Sequence, residues 1–262
     1  MSANRSAQQS TLSSFLEVAR TSQFAWFIGH VVVLFSSALY LLTFRGGSSG
    51  FHNTLYRVMY LGVIESFSVI IDQQHLRSTN KTSPRDLLLD DNVLYLGVAL
   101  LWIATPRLTI TMVPYVVFSL FHFLTYLKSV LLPQVFHLSE NSKILTLVDS
   151  FVRQNNDKSM NWSSFSELCC LIIVLLRALL WYPRSWIVAI IYSVFIKVRY
   201  EKSPYMKSCV KKWEVRLDGL VSHPKVFPQV KNIYMQFKSN IRQLGKYNLA
   251  GPSPATSAAK QN

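Results

Sequence analysis

The chain is short of cysteine, glycine and acid. Three cysteines in 262 residues cannot build a disulfide scaffold, and no Cys/His spacing resembles a metal site. Nine glycines form no loop of the kind that cradles phosphates. Acidic residues number 13 against 27 Lys and Arg, a net charge of +14. Charge of either sign is sparse at 15%, half the residues are hydrophobic, and the mean hydropathy is +0.23. Length alone would allow one or two soluble domains. The apolar residues lie in long blocks, however, which is the pattern of a small integral membrane protein.

Residues 1–23 are rich in Ser, Gln, Ala and Thr and have no apolar core followed by a small-residue cleavage site, so no cleavable signal peptide is expected. Leu12, Phe15, Leu16 and Ala19 fall at helical spacing, which suits a short interfacial helix or a frayed tail. Phe24 to Phe44 gives 21 residues without a formal charge, close to the ~20 that cross ~30 Å of hydrocarbon. Its aromatics Trp26, Phe27, Tyr40 and Phe44 lie near the two ends, where such rings favour the headgroup level. His30 inside it reads as a neutral packing residue. The Arg45–Gly50 stretch reads as a flexible turn. Phe51 to Ile71 is a weaker second span. Arg57 can snorkel there, whereas Glu65 must sit near an interface or turn toward the bundle interior, with Arg177 as a candidate partner.

Two further blocks, 93–127 and 168–198, are too long or too interrupted to be single straight spans. Each is broken by a Pro-Arg pair, Pro106-Arg107 and Pro183-Arg184, that follows a Trp by a few residues. Proline removes a backbone donor and arginine wants headgroups or water, so both pairs are expected to be hairpin turns. The arms before the turns have 13 and 15 residues, about 20 Å of helix. Hairpins lodged mainly in one leaflet and hairpins that cross the bilayer both fit that length. Pro114 is expected to kink the second arm of the first hairpin, and His122 on that arm reads as a packing position. Cys169 and Cys170 at a block boundary read as small buried residues.

Residues 197–262 carry 13 Lys and Arg and 3 acids, so +10 of the net charge sits in the last quarter. Within it, Phe227, Val230, Ile233, Tyr234, Phe237, Ile241 and Leu244 recur every three or four residues and share one helical face. Lys231, Lys238, Arg242 and Lys246 occupy other positions, and Pro224 and Pro228 mark the helix start. The expectation is an amphipathic helix whose apolar face rests on an anionic bilayer surface while the four cations contact headgroups. Packing of that face on protein is the competing account. Nucleic acid is a poor fit, because the aromatics follow helical period. Residues 248–262 read as disordered.

The positive-inside rule places this tail in the cytosol, and both termini with it. The connections 72–92 and 128–165 are then cytosolic, and the sequons at Asn80 and Asn161 should carry no sugar. The organisation expected is all-α. A polar tail (1–23) precedes a membrane domain (24–200) of two spans and two Pro-Arg hairpins. A basic amphipathic helical region (201–247) and a disordered end (248–262) follow.

The run Pro114-Tyr-Val-Val-Phe-Ser-Leu-Phe-His-Phe-Leu-Thr-Tyr-Leu-Lys128 resembles a characteristic stretch of the transmembrane protein 33 family. Leu87-Leu-Leu-Asp-Asp91 leading into Tyr95, Pro106 and Pro114 fits as well, as does Arg199-Tyr-Glu-Lys-Ser-Pro-Tyr205 followed by His223-Pro224 and Pro228. The resemblance runs from about Ala25 to Leu244, with its weakest match at the second span. It implies a multi-span protein of the endoplasmic reticulum and nuclear envelope without known enzymatic chemistry. It also implies links to nuclear pore distribution and biogenesis, to tubular membrane shape, and to reticulon-type proteins, nucleoporins and a karyopherin as partners. A membrane-binding helix in the family would map onto Phe227 to Leu244.

No paired carboxylates, His-rich cluster or nucleophile–base pair appears in the apolar blocks, so no catalytic, cofactor or metal residues are expected. The function expected is membrane organisation. The alternative is a small transporter or channel, which would have to use Glu65, Arg177, His30 and His122.

Overall fold

The computed structural model describes residues 2–44, 46–77, 82–139 and 142–251. Arg45, Asn80 of the first sequon, and residues 252–262 of the expected disordered end lie outside the described residues. All regular structure among the described residues is helical. In chain order the helices are α1 (Ser2–Ala19), α2 (Ser22–Leu42), α3 (Ser49–Ile71), α4 (Pro84–Leu88), α5 (Asp91–Ala104), α6 (Met112–Tyr126), α7 (Lys143–Leu179), α8 (Ser185–Lys202), α9 (Pro204–Val221) and α10 (Pro228–Gly245). Wider π-type turns extend α3 through Asp72–Leu76 and α6 through Leu127–Val135. Four of these helices are long and apolar enough to cross a membrane: α2, α3 with its extension, the stretch Thr109–Val135, and α7. The apolar α5 is shorter, with 14 residues.

Local sequence fixes where these helices begin. The Thr21 and Ser48 hydroxyls accept the backbone N–H of Phe24 (3.1 Å) and Phe51 (3.2 Å). Asp90 accepts from Asn92 (2.8 Å) and Val93 (3.3 Å), and Ser203 accepts from Met206 (3.3 Å). Each cap satisfies a donor that the first turn leaves without a partner. Pro114 falls in the first turn of α6, where its missing N–H is harmless, and this replaces the expected mid-helix kink. A second difference concerns residues 128–165, read from sequence as a loop. The π extension of α6 and the first turns of α7 occupy much of it. Hydropathy reveals apolar runs, and this segment is a polar helix held by local pairs such as Arg153–Asp149 at 2.9 Å. Asn161, of the second sequon, lies inside α7 and donates to the Asp157 carbonyl at 2.7 Å.

The chain divides into two compact units, residues 1–166 and 167–262. In the first, α2 and α3 pair closely, α5 packs on α3 and α6 on α2. The α2–α3 approach is possible because glycine faces glycine. A Cβ on Gly62 would stand 2.8 Å from the Gly29 carbonyl oxygen and 3.0 Å from the Val32 side chain. A Cβ on Gly29 would overlap the Glu65 and Ser66 side chains. Small residues at such a crossing let backbones touch where lipid supplies no hydrophobic drive between helices. α1 is anchored near its end, where Val18 is buried with Phe27, Tyr126 and Val135.

The first Pro-Arg turn is held inside this unit. The buried Thr111 hydroxyl donates to the Leu108 carbonyl (2.7 Å) and accepts from the hydroxyls of Tyr60 (2.7 Å) and Tyr56 (3.1 Å), which uses its full capacity. Tyr40 and Thr109 share a hydrogen bond of 2.7 Å. The Arg107 guanidinium stands 5.7 Å from the Tyr40 ring centre and donates to the Ser49 carbonyl at 3.4 Å. At the other end of α5, Asn92 donates to Gln74 at 3.1 Å. The first hairpin arm therefore runs the length of α3, and its turn lies level with the α2–α3 connection.

In the second unit, the end of α7 and α8 form the other hairpin. Glu167 and Arg199 make a buried ion pair at 3.7 Å, and the Tyr192 hydroxyl donates to the Glu167 carbonyl at 3.2 Å. Trp181 (φ 54°) and Arg184 (φ 62°) take the left-handed conformation at the tip. Arg177 stacks over Tyr182 at 5.0 Å. Cys170 is fully buried, and Cys169 is half-buried.

Candidate functional site: the α9–α10 surface

Ser203 ends α8 and caps α9, so the polar tail leaves α8 through a single residue. Met206 and Cys209 near the start of α9 are buried, whereas Leu217 and Leu220 farther along are exposed. Burial pushes the Cys209 thiol above its ordinary range. Lys211, Lys212 and Arg216 line an open hollow with Ser208 and Val215.

Helix α10 starts at Pro228, whose fixed φ suits a first turn. It buries none of its residues. Of the seven expected apolar-face residues, Phe227, Val230, Ile233, Phe237, Ile241 and Leu244 are 48–73% exposed. Tyr234 departs from that face. It turns to α9 and donates its hydroxyl to Asp218 at 2.7 Å. The four expected headgroup-contacting cations also divide. Lys238 donates to both Asp218 oxygens (2.6 and 2.7 Å) and pairs with Glu214 at 2.9 Å, and Arg242 reaches Glu214 at 3.0 Å. Lys231 is half-buried, and Lys246 is exposed just past the end of the helix.

The electrostatics follow from these contacts. Hydrogen bonds from Lys238 and Tyr234 hold Asp218 below the usual carboxylate range. Those from Lys238 and Arg242 do the same for Glu214. In return Asp218 and Glu214 raise Lys238, and Asp218 raises Tyr234. One more acid holds the end of the tail. Glu201 accepts the backbone N–H of Leu249 (3.1 Å) and Ala250 (2.6 Å) and pairs with Lys197 at 2.8 Å. Burial alone would raise Glu201, but the Lys197 ammonium and the two N–H groups outweigh it and the group is lowered.

The model for the transmembrane protein 33/nucleoporin POM33 family matches residues 4–246. The chain belongs to that family. It is 44% identical over 270 residues to the pore membrane protein of 33 kDa of Saccharomyces cerevisiae, covering 97% of this chain and 94% of that one. It is 26% identical to nucleoporin POM33 of Chaetomium thermophilum, over 92% of this chain and 94% of that one. It is 28% identical to tetra-spanning protein 1 of Schizosaccharomyces pombe, over 88% of this chain and 86% of that one. No solved structure matches the chain. The family match takes in α9 and α10 whole, so the surface described above belongs to the family region of the chain.

Of the intramembrane polar residues named from sequence, His30 and His122 come together, with ring centres 4.9 Å apart. His30 Nδ1 meets the Ser119 hydroxyl at 3.0 Å, and its ring packs against Trp26 and His122. Glu65 turns to α2 at Gly29, and Arg177 lies on Tyr182 in the other unit. Among the described residues no group of three His, Cys, Asp or Glu could hold a metal ion. Sequence reading missed three acids, Glu201, Glu214 and Asp218, and the Glu167–Arg199 pair. One signal was available. Glu214 and Asp218 are the only acids in the 61 residues after Glu201, and they stand one helical turn apart.

Proposed function

We propose that this protein is a non-enzymatic organiser of the endoplasmic reticulum and nuclear envelope membrane. Its α10 face docks on the cytosolic leaflet, its hairpins bias curvature, and it supports the placement and biogenesis of nuclear pores. The observation that carries this reading is a helix with five large apolar side chains, and Phe227 at its cap, exposed along one face and none of its residues buried. Exposed apolar surface of that kind marks an interaction site, and a basic helix after membrane spans has the bilayer surface within reach. Full burial of a large apolar side chain is worth about 1.5–3 kcal/mol, so partial insertion of six outweighs the cost of ordering one helix. The relatives' names, a pore membrane protein and a nucleoporin, support a nuclear-envelope setting. The family resemblance supports reticulon-type proteins, nucleoporins and a karyopherin as partners.

In this proposal both termini and α9–α10 face the cytosol, and both Pro-Arg turns face the lumen. A glycosidase-sensitive mobility shift at Asn80 or Asn161 would overturn that topology. The function is tested by replacing Ile233, Phe237 and Ile241 with Gln in the full chain. The expected result is a protein that inserts but loses its place at the envelope and leaves pores clustered. Normal localisation and pore spacing in that variant, with Glu65→Ala inactive, would favour a transporter and sink the membrane-organising reading.

A further inference from the structure

The two acids of the tail face the cations of α10. Lys238, Arg242 and the Tyr234 hydroxyl present N–H and O–H donors to the Glu214 and Asp218 carboxylates. A lipid phosphate or carboxylate would offer the same donors the same kind of oxygen. The pairing also sets the register, with Asp218 against Tyr234 and Lys238, and Glu214 against Lys238 and Arg242. The helices are therefore antiparallel. At about 100° per residue, Trp213, Leu217 and Leu220 of α9 then lie on the same side as Ile241, Phe237 and Ile233 of α10. The pair offers one apolar platform, and the clamped cations lie off that face.

We propose that Glu214 and Asp218 are specificity-determining residues of the tail. They stand in for anionic headgroups and hold Lys238 and Arg242 until the tail meets a bilayer charged enough to displace them. The two acids thereby set the surface charge at which α10 engages. This rests on the membrane reading of α10 and adds a rule for choosing among membranes.

The energetics suit an exchange. α10 buries no residue, so charged and polar contacts hold it to α9. Exposed ion pairs are individually weak and are screened by salt. An anionic surface repays the lost pairs with contacts of the same chemistry and adds burial of the platform. A neutral bilayer offers the platform alone. The partner implied is a lipid surface rich in phosphatidylserine or phosphoinositide.

The test uses the full chain in neutral phosphatidylcholine nanodiscs. Added vesicles carry stepped fractions of phosphatidylserine, and binding is read by co-flotation. E214Q/D218N is expected to lower the phosphatidylserine fraction at half-binding. Below the wild-type midpoint it should bind about thirtyfold tighter, from two freed cations. K238Q/R242Q should change wild-type binding there by less than about twofold, yet remove the gain made by E214Q/D218N. Equal losses from K238Q/R242Q in both backgrounds, or an unchanged midpoint in E214Q/D218N, overturns the proposal. A second measurement needs no vesicle, since amide exchange in α10 should quicken in E214Q/D218N and an unchanged rate also overturns it. If I233D/F237D binds vesicles as the wild type does, the membrane reading of the apolar face falls while the clamp is judged by the double-mutant cycle. If neither wild type nor E214Q/D218N binds at any charge, both fall.

Discussion

The two Pro-Arg turns look alike in sequence and differ in surroundings. At the first, Pro106-Arg107 leads into Thr109 and Thr111, whose hydroxyls meet those of Tyr40, Tyr56 and Tyr60. At the second, Trp181, Tyr182, Pro183 and Arg184 are all exposed, and two of them adopt left-handed backbone. The first turn is a joint built into a polar seam of its unit. The second is an aromatic tip of the sort that sits at headgroup level. A shared dipeptide thus marks where the chain reverses, and the residues two to five places later decide whether the reversal is packed or presented. The first turn is followed by Leu-Thr-Ile-Thr and the second by Ser-Trp-Ile-Val.

Breaking the frame around the first turn should have the largest effect. Gly62→Leu drives a side chain into the Gly29 carbonyl and Val32. It should cost about 3 kcal/mol and lower thermal stability in detergent, read by helical circular dichroism. A variant as stable as the wild type would mean that the α2–α3 crossing does not support the turn.

Next in size is Thr111→Val, which keeps the shape and removes one hydroxyl. Both tyrosine hydroxyls lose the Thr111 acceptor in a buried site, at about 1–3 kcal/mol. The Tyr56→Phe/Tyr60→Phe/Thr111→Val variant removes the whole network and should recover most of that loss. If it does not, the seam is not what holds the turn.

Much of this contrast was hidden from the sequence for one physical reason. Apolar run length and helical period are local, so α2, α3, the two hairpins and the face of α10 were legible. Pairing between distant residues is not local. Gly29 and Gly62 are single glycines until α2 and α3 take up one register. Lys238 fits a headgroup-contacting position by wheel, and only the fold of α10 against α9 brings Asp218, 20 residues away, onto it. The same holds for Tyr234, an apolar-face residue by spacing whose hydroxyl prefers a carboxylate. The first part of α7 was missed for the opposite reason, because polar helices leave no apolar run to find.

At the second turn the expected sign reverses. Arg184 has φ 62°, a region glycine enters without penalty. Arg184→Gly should therefore stabilise the chain by about 1 kcal/mol, where a change at the first turn destabilises it. Thermal denaturation of the two variants side by side tests this. A destabilised Arg184→Gly would show that the guanidinium makes a contact worth more than the strain.

The smallest effect expected is none. Asp218 and Glu214 are held below the ordinary carboxylate range, so their contribution to the α9–α10 clamp is complete above their unfolded values near pH 4 and fades only as pH falls through the lowered folded values. Lys238 is raised, so its contribution is complete below its unfolded value of about 10.4 and is lost as pH rises through the folded value. Between those limits no member of the clamp changes charge. Amide exchange in α10, corrected for its intrinsic pH dependence, should be flat from pH 6 to 8 and should rise with salt, which screens the pairs. A step near neutral pH would mean that a group outside the clamp governs the helix. In that case the tail would respond to the acidity of its surroundings instead of to the charge of the surface it meets.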